Sequence, residues 1–271
     1  MKHTLPLLLS ALILLPAHAG KFTLEKGKGK VTVNLDGQLF TEYLYDGHGR
    51  SKPVLYPVIG PGGARMTRDY PFKQGRPGEA FDHPHHASLW FTHGEVNGIS
   101  FWHVGKNTGT IRHQKFLKLE GNTLTTANQW LSAKAEEQCS DQTTISFHAN
   151  GANRAIDFDI TVHASAGDVT FGDTKEGSMG IRTHPALRLK GSVAKGKAVN
   201  SEGVSGKAVW GKRAKWVDYW GPIGSQTVGV AIFDHPGNPR HPTWWHARDY
   251  GLVAANPFGV HNFERKPKGT G

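Results

Sequence analysis

The sequence predicts an all-β protein: an antiparallel β-sandwich, galactose-mutarotase-like or jelly-roll-like, with little helix. Three observations carry this. Apolar and polar residues alternate at a period of two in run after run, which sets one side of a strand on a core and the other in water. Stripes at helical spacing are almost absent. Glycine is abundant, at 34 of 271 residues, and clusters such as "LDGQ", "EGNT" and "ANGAN" separate the alternating runs, as turns between antiparallel strands do.

The first 19 residues read as a segment apart. A basic residue, Lys2, precedes an apolar run over 5–15, and Ala17 and Ala19 form a small-x-small site. This is the pattern of a secretory signal peptide cut after Ala19. The apolar run is about half the roughly 20 residues a membrane span needs. No later segment is long and apolar enough, so an exported protein, periplasmic or secreted, without a membrane span is expected.

Residues 20–271 are expected to form one domain, a length one core can serve. Its strands are read in order from "KVTVNL" (30–35), "LFTEYLY" (39–45), "TISFHA" (144–149), "IDFDITVHA" (156–164), "DVTFGD" (168–173) and "VGVAIFD" (228–234). "VLYPVI" (54–59) is strand-like, and the "GPGG" after it is a turn because no helical pattern follows. "LEKGKGK" and "LKGSVAKGKAVNSEG" read as solvated loops and edge strands guarded by lysine. The final "RKPKGTG" reads as a loop. No linker, composition shift or fixed-period repeat divides the chain.

The net charge is +10. It suits an acidic polymer such as an anionic polysaccharide, although its scatter is more simply that of solvated loops and edge strands. Export makes nucleic acid an unexpected partner. The single cysteine, Cys139, excludes an internal disulfide and a four-cysteine zinc site.

Polar aromatic residues gather in four patches: 65–70 ("RMTRDY"), 82–103, 182–188 ("RTHPALR") and 210–256. The second, "DHPHHASLWFTHGEVNGISFWH", holds five of sixteen histidines (His83, His85, His86, His93, His103) with Trp90 and Trp102. The fourth holds Trp210, Trp216, Tyr219, Trp220, Trp244, Trp245 and Tyr250 with His235, His241 and His246. Indole and phenol rings offer apolar faces with a polar edge, and neighbouring Arg, Lys, Asp and His offer directional hydrogen bonds. Together they suit a pyranose ring; the alternative is an aromatic-filled core.

In "HPHH", His83 and His85 would share a strand face, although Pro84 interrupts a regular strand. Three uses stay open. They are a Zn or Cu site at His83, His85 and His86 with Asp82 or Glu95 as carboxylate, acid/base or substrate contact near the ordinary histidine pKa, and a structural role. The spacing matches no metal signature such as HExxH. "FDHP" occurs twice (81–84 and 233–236), as turn chemistry or as a catalytic pair. Nucleophile elbows, Walker loops and dinucleotide fingerprints are absent.

The ordered motifs "TRDYP", "DHPHHASLWFTHGEVNGISFW", "GSMGIRTHPALR", "WGKRAKWVDYWGPI" and "AIFDHPGNPRHPTWWHARDYGLVAANPFG" resemble the bacterial PmoA family, over almost the whole of residues 20–271. The label refers to a multi-span subunit of methane monooxygenase, which a chain without a span does not match. The resemblance implies a polysaccharide setting by analogy. It also implies further strands after "ANPFG", so a truncated C-terminus is expected.

The function expected first is an exported carbohydrate-active enzyme or sugar-binding protein in polysaccharide or glycoside breakdown; whether it is an enzyme stays open. His83, His85, His86, His93 and His184 are the acid/base candidates. Arg65, Arg68, Arg182 and Arg213 are candidates to hold substrate oxygens, including a carboxylate. Asn97, Lys212, Asp234, His235, His241 and His246 are further contacts, and Trp102, Trp244 and Trp245 are stacking surfaces. The alternatives are a Cu- or Zn-dependent oxidoreductase, in line with the family label, and a non-catalytic binding module. His83, His85 and His86 are expected in one cleft with residues from 210–256.

Overall fold

The computed structural model describes residues 20–269; the segment read as a signal peptide lies outside the described residues. The strands are β1 (Phe22–Gly27), β2 (Lys30–Leu35), β3 (Gln38–Leu44), β4 (Val54–Leu55), β5 (Leu89–His93), β6 (Thr110–Glu120), β7 (Thr123–Leu131), β8 (Glu137–Asn150), β9 (Asn153–His163), β10 (Gly177–Arg182), β11 (Lys197–Asn200), β12 (Trp216–Ile223), β13 (Gln226–Phe233), β14 (Trp244–Trp245) and β15 (Leu252–Asn256). One short helix, α1 (Val260–Glu264), follows. Among the described residues no helix is long and apolar enough to cross a membrane.

Local sequence explains the hairpins. In β2, Val31, Val33 and Leu35 are buried and the residues between them are not. Asp36-Gly37 then turns the chain into β3 with both residues at positive φ, 50° and 76°. That conformation is the one a two-residue hairpin needs and Asp-Gly tolerates.

All strand pairs are antiparallel. The large sheet runs β1-β2-β3-β4-β5-β10-β15-β14, and two smaller sheets run β6-β7-β8-β9 and β11-β12-β13. One core joins all three. Val31, Val33, Phe40, Leu55 and Val253 of the large sheet pack with Leu124, Ile145 and Phe147 of the second and with Val217 and Tyr219 of the third. Both smaller sheets therefore cover one face of the large sheet, and the fold is an all-β sandwich.

The segment 168–173 departs from expectation. It makes a single bridge, Phe171 to Val96, and no strand. Asn97 takes the place of a ladder: its amide oxygen accepts from the Thr170 N–H at 2.8 Å and its amide nitrogen donates to the Asp168 carbonyl. "GPGG" is a 3-10 turn with Gly62 and Gly63 at positive φ.

The opposite, outer face of the large sheet positions the site. Leu89, Ile181 and Val253 point into the main core. Their neighbours Trp90, Gly180 and Ala254 point outward and stand opposite one another across β5, β10 and β15. His246 extends this row, because its backbone exchanges both hydrogen bonds with Ala254. A second cluster, Val54, Tyr56, Ala87, Trp90, Trp102, Leu252 and Ala254, is buried on this face.

Candidate functional site

The loop from Asp82 to His86 folds over this outer face. A tight turn forms it: the His86 N–H donates to the His83 carbonyl at 2.9 Å, and His83 sits at φ 47°. Two buried arginines hold it. Arg68 donates to Asp82 Oδ1 (2.9 Å) and to the carbonyls of Ala80, His83 and His86. Arg182 donates to Asp82 Oδ1 at 2.8 Å and to His86 Nδ1 at 2.9 Å. Every nitrogen of a guanidinium is a donor. His86 Nδ1 therefore accepts, and its proton is on Nε2.

Rings fill the space the clamp defines. His86 stacks on Trp90 (centroids 5.5 Å apart, planes at 14°) and meets Trp102 edge-on at 5.4 Å. Trp90 and Trp102 meet at 5.3 Å. His83 packs against both His86 (4.8 Å, 7°) and Tyr250 (5.3 Å, 14°). His85 contacts His86 and His103 at 4.4 and 4.8 Å. Gly180 makes the packing possible: a Cβ there would come within 2.9 Å of Trp90 and 3.4 Å of Trp102. The outcome is a buried floor of His86, Trp90 and Trp102 beneath a more open rim of His83, His85, His103 and Tyr250. The guanidinium of Arg248 lies 5.4 Å from the Tyr250 ring.

Burial sets the charge state. It holds His85 down at about 3, helped by His103 and Lys52. Burial, with the charge of neighbouring groups, holds His86 well below its ordinary value. Burial also lowers His246 to about 4, against the opposing pull of Glu176. These imidazoles are neutral at pH 7. Burial raises Asp82, but Arg182, His83 and Arg68 outweigh it and hold the carboxyl at about 2. Glu176 is likewise raised by burial and lowered further by Lys175 and His246, so it is ionised. Burial raises the Tyr250 hydroxyl. The site offers neutral imidazoles, a neutral phenol and fixed charges.

The histidine metal site expected at His83, His85 and His86 is not assembled. Lone pairs of imidazole lie in the ring plane, and the near-parallel planes of His83 and His86 share no point at which both could bind one ion. Among the described residues no group of three or more His, Cys, Asp or Glu side chains is placed to hold a metal ion.

Other expected contacts lie elsewhere or do other work. Arg65 binds Asp69 and the Tyr56 hydroxyl, and Arg68 and Arg182 hold the loop, so these guanidiniums are already engaged by the protein. His93 is buried against Phe171 and Phe258, its Nε2 2.7 Å from the Gly172 carbonyl oxygen. His184 Nδ1 accepts from the Ala186 N–H and caps a 3-10 turn. Asn97 braces 168–173. Arg213 donates to the carbonyls of Pro242 and Arg240 and lies 4.5 Å from the Trp244 ring; Lys212 beside it is exposed.

Asp234 is buried in a turn, accepting from Asn238, His241 and the Thr243 N–H. His235 is exposed and accepts from the Gly237 N–H. Trp244 donates to Glu264 and packs on Val260 and Phe263. Trp245 is core, fully buried with its N–H on the Ala214 carbonyl, and offers no face for stacking. Trp102 is buried in the floor, and its ring is not an open platform. From 210–256, then, Tyr250, Arg248 and His246 reach the histidine face, and the Trp244-Trp245 pair does not. His246 Nδ1 lies 4.0 Å from Glu176. Glu176 and Lys52 join the site from stretches, "TKEGS" and "RSKPV", with no local signal.

A model of DUF6807, a family of unknown function, matches residues 30–269. The chain belongs to the DUF6807 family. This corrects the PmoA resemblance: the match spanning the chain is to DUF6807, and no PmoA model matches. No curated protein and no solved structure matches this DUF6807 chain.

Proposed function

We propose that this DUF6807 protein binds a hydroxyl-rich ligand of the carbohydrate class on the outer face of its large sheet, as an exported carbohydrate-active enzyme or sugar-binding protein. One observation carries the reading. A rim of His83, His85, His103 and Tyr250, with Arg248 beside it, surrounds a ring floor that a double arginine clamp holds in place. The rim rings, Tyr250 among them, give apolar faces for C–H surfaces. Neutral imidazoles both donate and accept, as sugar hydroxyls do. Glu176 adds an acceptor and Arg248 a donor. Export rests on the sequence of residues 1–19.

The test uses protein recovered after export, whose N-terminus is expected at Gly20, titrated calorimetrically with a panel of neutral and acidic oligosaccharides. At least one should bind, and His85→Ala should abolish that binding with little change in melting temperature, because His85 lies on the rim rather than in the core. A His85→Ala protein that binds unchanged, or one that melts far lower, would make "HPHH" a packing feature and overturn the reading.

A further inference from the structure

Lys52 is 2% exposed. Its ammonium makes one hydrogen bond, to the Trp102 carbonyl at 3.3 Å, and stands 5.8 Å from the centroid of the Trp90 ring. The charged or titratable groups acting with it are Arg50 on its own segment, His48 from the preceding turn, His85 from the histidine loop and His103 from the loop after Trp102. None is a carboxylate, and no carboxylate pairs with Lys52 among the described residues. Lysine is almost never fully buried unless paired, since removing an ammonium from water is costly.

The rings beside Lys52 repeat the imbalance. The Nε1 atoms of Trp90 and Trp102 and Nε2 of His86 are buried without a protein partner. Both indole nitrogens carry a proton, and the Arg182 contact puts the His86 proton on Nε2. Three rings in mutual contact thus hold three N–H donors with no acceptor, next to an ammonium with no anion. Buried donors left in this way are uncommon, and here every unmet need is for the same thing, an electron-rich oxygen.

We propose that Lys52, the indole N–H groups of Trp90 and Trp102 and the Nε2–H of His86 form an oxyanion subsite that takes a carboxylate. Where that carboxylate belongs to the ligand of the rim, the substrate class is an acidic saccharide, and this part rests on the carbohydrate reading. The bias toward an anion over a hydroxyl comes from Lys52. An unpaired buried ammonium gains most from a formal negative charge. Burial, with Arg50, lowers Lys52 to about 7, as expected of an amine whose counter-ion is not part of the protein.

The full chain is titrated with acetate, glucuronate and glucose, followed by tryptophan fluorescence and by melting temperature. Glucuronate should bind at least about tenfold more tightly than glucose, and Lys52→Met should remove that advantage, as loss of a charged hydrogen bond does. The Lys52→Met protein should melt no lower than wild type without ligand, because an unpaired buried charge is replaced by an apolar chain of similar length. Should that variant fail to fold, Trp90→Phe keeps an aromatic face, deletes the N–H, and should weaken glucuronate severalfold. Acetate binding that needs Lys52, without any saccharide binding, leaves the subsite standing and removes the carbohydrate reading. Equal affinity for glucose and glucuronate, or glucuronate binding untouched by Lys52→Met, overturns the subsite and leaves the carbohydrate reading. Failure of every anion to bind overturns the subsite.

Discussion

Gly180 shows how one side chain's absence shapes the site. It faces outward between Trp90 on β5 and Ala254 on β15, and the edges of Trp90 and Trp102 occupy the space its Cβ would take. Gly180→Ala should therefore push the indoles apart and cost about 1–3 kcal/mol, the usual penalty of overpacking. The urea midpoint should fall, and the near-ultraviolet dichroism of the tryptophans should change. An unchanged midpoint would mean that the floor is slack. At this scale the sequence is a partial guide. The imidazoles and indoles of 82–103 announce themselves by density, and His83, His85, His86 and Trp102 do meet. Lys52 and Glu176 stand in unremarkable stretches, and nothing local marks them, because only the sheet brings them beside His85 and His246.

At the scale of an element, the histidine loop owes its shape to charge. Asp82 takes hydrogen bonds from two guanidiniums whose side chains are 2% and 1% exposed. Removing the carboxylate leaves two buried cations facing each other. Asp82→Ala should cost about 1–3 kcal/mol, less than the roughly 3–5 kcal/mol of a fully buried pair, because Asp82 itself is 40% exposed. The His86 amide, which bonds the His83 carbonyl across the turn, should exchange with solvent faster in the variant. Unchanged exchange would show that stacking alone holds the loop. The second "FDHP" proves the need for this context. There Asp234 organises a turn through Asn238, His241 and Thr243, and among the described residues its ion-pair partner is His241 rather than an arginine. One tetrapeptide serves two purposes because its surroundings differ.

For the whole molecule, buried neutral histidines set the response to acid. His86, His93 and His246 are at most 2% exposed; burial lowers His93 and His246 to about 4 and His86 well below its ordinary value. Unfolded histidine protonates near 6.5. On acidification the unfolded chain takes up protons first, so this stability is complete above about pH 6.5 and is lost as pH falls toward 4. Three such groups give a slope approaching about 4 kcal/mol per pH unit near pH 5. Urea unfolding at pH 8, 6.5 and 5 should show a modest fall in midpoint between the first two and a much larger fall to the third. A flat profile would mean that these imidazoles reach water.

The division between sequence and tertiary structure follows from the range of the forces involved. Period-two alternation and turn residues act over a few neighbours, so "KVTVNL", "IDFDITVHA" and the Asp36-Gly37 turn could be read directly, and with them the all-β class. "DVTFGD" alternates too, but a strand needs a partner edge, and the Asn97 side chain occupies that place. The residue types of the site could be read as well. Their roles could not, because an arginine that binds substrate and one that clamps a loop look alike until Asp82 is found between Arg68 and Arg182. The same holds for the rings: Trp245 faces the core and Trp90 the histidine face only because of strand register. That register, closed across β5, β10, β15 and His246, decided which histidines, indoles and lysine would share one surface, since long-range pairing alone sets which distant side chains meet.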